Sequence, residues 1–206
     1  MIDDAMLARI AGLYLKPGRD KRDISAVRAM LEAAERTAPS LSDPEAVKAA
    51  IWFHRIAEGE ARGADRQRSA AIAREWLSGY AADERVDFVV RTVLATGDQQ
   101  LPAFADRRKA EDAATVLDLA MAQLDADWDV QGSHPGSACP VDCPKTDTCM
   151  VRERIAVLER IAARPAIYLA AGTHRRDEGK ARNEVAHLLH GYRSQPACAR
   201  MAACGR

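Results

Sequence analysis

The chain reads as an all-α protein, and three observations predict this. Hydrophobic residues make up 48% of the 206 positions, weighted to Ala and Leu, while aromatics contribute 5%; that balance favours helices over a sandwich or barrel. Apolar residues recur at spacings of three and four along most of the chain, which is the pattern of one buried helix face. No stretch alternates polar and apolar residues long enough to mark a strand. The length suffices for one domain with a sizeable core, so a single helical domain over 1–206 is expected.

The elements follow in order. Residues 2–15 present Ile2, Met6, Ile10, Leu13 and Tyr14 on one side, and Lys16-Pro17-Gly18 stops the helix. Asp23 is read as the cap of a second helix whose apolar face is Ile24, Val27, Met30 and Leu31. Asp43 as N-cap, Pro44 in the first helical position and Glu45 in the first turn announce a third helix that runs through His54. A polar stretch from Glu58 to Arg68 precedes a helix over 69–81, with Ile72, Trp76 and Leu77 facing inward. The next helix covers 84–95 with Val86, Val89, Val90, Val93 and Leu94, and Gly97 is its expected stop. A long amphipathic helix over 105–124 carries the run Val116-Leu117-Asp118-Leu119-Ala120-Met121. Residues 126–150 read as an irregular Cys-rich loop, helices resume over 151–163 and 176–192, and 195–206 read as a flexible tail.

Lys+Arg and Asp+Glu both number 30, so the formal charge is zero. That argues against a general nucleic-acid or membrane-surface binder. No apolar run reaches the length of a membrane span and the N-terminus lacks a signal-peptide layout, so the cytoplasm is the expected compartment. Five Cys is an odd number that fits a secreted disulfide framework poorly. The Ala-rich helices would support a homodimer.

The run Ala50-Ile51-Trp52-Phe53-His54, followed by Arg68-Ser69-Ala70-Ala71, resembles the signature region of metal-dependent HD-superfamily phosphohydrolases. Further pieces line up in order: Val93-Leu94-Ala95-Thr96, Leu117-Asp118, Arg154 to Leu158, Arg164-Pro165-Ala166-Ile167-Tyr168, and Glu178 with Ala181-Arg182. The resemblance spans most of the chain outside 126–150 and implies an HD-domain-like helical bundle around a metal site. The ligand positions depart from it. Two histidines of the family's second helix fall on Arg22 and Ala26, its His-Asp pair on His54-Arg55, and its Asn-Glu pair on Asp65-Arg66. Its histidines after the fifth helix fall near Asp98 and Gln99, and its late Asp on Asp118 or Ala120. Only His54 and Asp118 remain as remnants of the catalytic set.

Such metals need several His and carboxylate ligands to bind, lower the pKa of water and neutralise phosphoryl oxygens. A guanidinium about 4 Å from the ion would oppose binding by on the order of 4 kcal/mol at a high effective protein dielectric. No metal is therefore expected at the inherited position. If the fold is kept, Arg22, Arg55 and Arg66 converge on one pocket, and guanidiniums grip phosphate or carboxylate bidentately without a metal. The resulting expectation is a pseudoenzyme that binds a small anion, a nucleotide or a phosphorylated metabolite, or docks a partner. Three alternatives stay open. The arginines pair with Asp20, Asp23, Asp65 and Asp98, and His54 is a hydrogen-bonded core residue. The chain is an enzyme built on new residues such as the Cys segment. It remains a metal-dependent hydrolase.

The segment from His134 to Cys149 carries Cys139, Cys143 and Cys149 at spacings of four and six. Three thiolates and His134 could close a tetrahedral zinc site, although the compact Cys-x2-Cys knuckle is missing. An iron–sulfur cluster would need a fourth thiolate from Cys198 or Cys204. Free thiols, or disulfides such as Cys139–Cys143 and Cys198–Cys204, serve the same residues. Cys149 just before a helix start at Val151 would have a lowered thiol pKa. His187 and His190, three apart, lie on the last helix with Glu184 as their nearest acidic companion. A zinc site in this segment predicts one equivalent of zinc in the purified protein by elemental analysis, lost in Cys139→Ser; zinc-free protein with titratable thiols rejects it.

Overall fold

The computed structural model describes residues 1–16, 21–57, 65–132, 144–171 and 178–194. Eight α-helices and a short 3-10 turn, with no strand, account for the secondary structure of the described residues. The all-α expectation is met there. The chain divides into two compact units, one of Met1–Met121 with Leu169–Thr173 and one of Ala122–Tyr168 with His174–Arg206. No helix among the described residues is long and apolar enough to cross a membrane.

The first unit is built from the sequence signals in turn. Asp3 accepts the Met6 amide at 2.8 Å and opens α1, Asp4–Tyr14. Met6, Ile10 and Tyr14, four apart, are its buried stripe. The Tyr14 hydroxyl donates to the Trp52 carbonyl at 2.9 Å, so a buried phenol finds the acceptor it needs. Helix α2, Lys21–Thr37, starts two residues before Asp23, which therefore lies in its first turn rather than at its cap. Val27, Met30 and Ala34 are buried on its inner face, and the turn Ala38–Ser40 follows.

Helix α3, Pro44–Phe53, has Asp43 as N-cap, with a carboxylate oxygen 3.1 Å from the Ala46 amide. Arg85 grips the same carboxylate through two nitrogens, at 2.6 and 3.2 Å. Ala46, Val47, Ala49, Ala50, Ile51 and Phe53 are all buried, so α3 is enclosed on nearly every side.

Helix α4, Asp65–Leu77, begins earlier than expected and turns a different face inward. Ser69, Ala70, Ala73 and Leu77 are buried, whereas Ile72 and Trp76 are half-buried at its flank. The small residues let α4 lie close against α5, and Trp76 closes the side by an edge contact with Phe53, ring centroids 6.1 Å apart, and under the Arg9 guanidinium at 3.9 Å. Gly79 at φ 84° makes the turn between the two helices, in a backbone conformation that residues with a Cβ rarely adopt.

Helix α5, Asp83–Asp98, buries Val86, Phe88, Val89, Val90, Thr92, Val93, Ala95 and Thr96, while Leu94 faces outward. It does not stop at Gly97. The left-handed cap is Gln99 at φ 60°, ψ 32°, whose amide reaches the Ala95 carbonyl at 2.8 Å.

In helix α6, Arg107–Gly132, every residue from Asp112 to Asp118 is buried. A helix buried all round must satisfy any polar group within itself or by a neighbour. Asp112, 1% exposed, accepts the Ser42 amide at 3.0 Å, the Ser42 hydroxyl at 2.6 Å and the Asp43 amide at 2.9 Å. The entry to α3 is thereby anchored to α6.

In the second unit α7, Pro144–Ala162, packs on α8, Glu178–Ser194. Leu158 and Ile161 from α7 and Ala181, Val185, Leu188 and Leu189 from α8 are buried, as is Ile167 from the segment after α7. Residues 126–132 and 144–150, expected to be irregular, are helical. Ala126 to Gln131 contain no Gly or Pro to break α6, and Pro144 suits a first helical position. Residues 133–143 and the expected tail 195–206 lie outside the described residues.

Asp112→Ala leaves the backbone amides of Ser42 and Asp43 without their acceptor. It is expected to lower stability by about 3 kcal/mol in urea denaturation, with Asp112→Asn losing roughly half as much; unchanged midpoints would show that the anchor carries no weight.

Candidate functional site

Three helix ends meet in the first unit. The Ser69 hydroxyl oxygen accepts the Ala57 amide at 3.1 Å, which ties the turn after α3 to the first turns of α4. One turn earlier on α4, the stem of Arg66 lies on Gly97, in the last turn of α5. This end of the unit carries His54, Arg55, Arg66, Asp98 and Gln99, five positions that the resemblance singles out.

His54 stands at the C-cap of α3 and is 3% exposed. Its Nδ1 is 2.6 Å from the Ile51 carbonyl oxygen. A carbonyl only accepts, so Nδ1 carries a proton. His54 is thus a hydrogen-bonded buried histidine, held in one ring orientation by its own helix. Arg55 follows it in the chain and is half-buried. Arg66 is the second residue of α4 and is half-buried too. Arg22 is the second residue of α2, and its side chain lies outside the described residues.

Asp118, 3% exposed on α6, is engaged with backbone. One carboxylate oxygen accepts the Leu169 amide at 2.8 Å, and the other accepts the amides of Leu169 at 3.1 Å and Ala170 at 2.9 Å. The Ala171 amide donates to Glu111, seven residues earlier on α6 and so on the same face. Three consecutive amides thereby end on two carboxylates of one helix.

Other residues of the resemblance have comparable duties. Both oxygens of Glu178 accept the Ile167 amide at 3.0 Å. Arg182 pairs with Glu178 at 2.8 Å and donates to the carbonyls of Ala162, Arg164 and Pro165 at 3.5, 3.2 and 2.8 Å. In the described part of the chain between α7 and α8, these side chains supply partners to backbone groups that no helix pairs.

Among the described residues no three of His, Cys, Asp and Glu are grouped so as to hold a metal ion. His134, Cys139 and Cys143 lie outside the described residues. Cys149 falls within α7, which begins at Pro144, ahead of the expected start at Val151, and its side chain lies outside the described residues. His187 and His190 are exposed on α8. Sequence reasoning missed Asp112, Ser69 and the seat of Arg66 on Gly97. Asp112 had a signal: it borders the apolar run Ala113 to Leu117 of a long helix, and a carboxylate there must meet donors from elsewhere.

Asp118→Ala is expected to speed hydrogen exchange of the Leu169 and Ala170 amides roughly tenfold or more, while the core amides of α3 stay protected. Equal protection in both proteins would show that the carboxylate does not hold this segment. Compared with known proteins, the chain matches no family model, no curated protein and no solved structure.

Proposed function

We propose that the chain is an HD-phosphohydrolase-like helical protein that has lost metal-dependent hydrolysis and binds a phosphate-bearing anion, such as a nucleotide or phosphorylated metabolite, through Arg55 and Arg66, with Arg22 as a third contributor. The observation that carries it is the engagement of Asp118. Both of its oxygens accept backbone amides at 2.8–3.1 Å, and these bonds take up most of the carboxylate's acceptor capacity that a metal would need. The side chain beside His54 is the guanidinium of Arg55, which adds repulsion where a cation would sit. These residues suit an anion better than a divalent ion.

The retained and the lost positions divide by role. Asp118, Glu178 and Arg182 hold the backbone of 162–170. Three of the ligand positions of the resemblance stand as Arg22, Arg55 and Arg66, and others as Ala26, Asp65, Asp98 and Gln99. Three ligand positions turned basic fit a site that has exchanged a metal for guanidinium groups. Such groups make charge-assisted, bidentate hydrogen bonds to phosphate oxygens.

The test combines elemental analysis with calorimetric titration of inorganic pyrophosphate and a nucleotide panel. Metal-free protein that binds one of these ligands, with affinity reduced about tenfold or more in Arg55→Ala, is the expected result. Stoichiometric Mn, Fe or Ni accompanied by phosphatase activity would overturn the proposal, as would a panel in which nothing binds. Activity lost on a single Cys substitution with the fold intact would move the chemistry to the Cys segment.

A further inference from the structure

Gly97 is out of place by every local criterion. It lies inside α5, one residue before the helix ends, at an ordinary negative φ that any residue adopts. It is exposed, so core packing does not demand a small residue. Glycine is the poorest helix former after proline. What a side chain would meet there is Arg66: an ideal Cβ would sit 2.9 Å from its Cγ, 3.6 Å from its Cβ and 3.9 Å from its Cδ. The nearest of these belongs to the stiff root of the side chain, not to its mobile end.

We infer that Gly97 is a positioning residue that fixes where the Arg66 guanidinium lies in the anion site; this rests on the function proposed above. The last turn of α5 offers a bare strip of backbone, and the aliphatic stem of Arg66 lies along it. A methyl group at 97 pushes Cγ aside and swings the guanidinium with it. A solvated surface arginine has no use for such a seat, because its stem finds room in many rotamers. Arg66 therefore keeps one position, and its charge is delivered to one place.

Calorimetric titration with inorganic pyrophosphate tests this on wild type, Gly97→Ala, Arg66→Ala, the double variant and Arg55→Ala. Gly97→Ala is expected to weaken binding about fivefold or more with an unchanged or higher melting temperature, and the double variant to bind no worse than Arg66→Ala alone. In wild type the Arg66 Nε–H resonance shifts on adding pyrophosphate, and in Gly97→Ala it does not. Should Gly97→Ala fail to fold, a folded double variant still identifies the Arg66 stem as the obstacle, and an unfolded one overturns the inference. Wild-type affinity in Gly97→Ala, or losses that add in the double variant, overturns it while Arg55→Ala still reports on the anion site. Absence of pyrophosphate binding in wild type removes the site and this role together.

Discussion

Carboxylates on α6 accepting backbone amides from distant segments are the interaction on which the first unit depends. A carboxylate enclosed in protein costs several kcal/mol unless donors surround it. Backbone amides outside helices carry the reciprocal need. Asp112 meets the amides of Ser42 and Asp43, and Asp118 meets those of Leu169 and Ala170. Each pairing satisfies both parties at once and joins positions 51 to 70 residues apart. The stretch 112–118 of α6 is consequently buried without being wholly apolar.

The same economy explains the helix contacts around it. Ala46, Ala49 and Ala50 on α3, Ala70 and Ala73 on α4, and Ala113 on α6 are all buried. Small residues let backbones approach, and the larger side chains Phe53, Leu77 and Leu117 fill the volume that remains. Asp43 shows how local and distant forces combine. It caps α3 through Ala46, takes Arg85 on its outer side, and offers its own amide to Asp112.

Much of the helix plan was legible. The cap Asp43-Pro44-Glu45, the stripe Met6, Ile10, Tyr14 and the valines of α5 were read from spacing and capping chemistry, because those signals act within one or two turns. The inward face of α4 was not, since Ile72 and Trp76 outweigh Ser69, Ala70 and Ala73 on any hydrophobicity count, and only the proximity of α5 makes small residues the buried ones. Gly97 was mistaken for a helix stop for a related reason. Glycine at a helix end has two uses, a left-handed cap or a close approach, and the choice depends on Arg66, thirty-one residues away in sequence. Residues 126–132 are helical although Cys and Pro crowd the segment after them, because nothing before Gly132 breaks the helix.

For the candidate site, His54, Arg55, Arg66 and Asp118 could be named from the order of short motifs, and their chemical types bear on what ion they suit. Their duties could not be named. That His54 Nδ1 donates to Ile51, and that Asp118 spends its oxygens on Leu169 and Ala170, follows from where helices cross. The amino-acid order by itself determined the helical class, most helix starts and the residues bearing charge at the site, because propensity, capping and periodicity are local. Which polar groups meet was decided by the tertiary structure alone, because a hydrogen bond across fifty residues exists only once packing has brought its two ends to 3 Å.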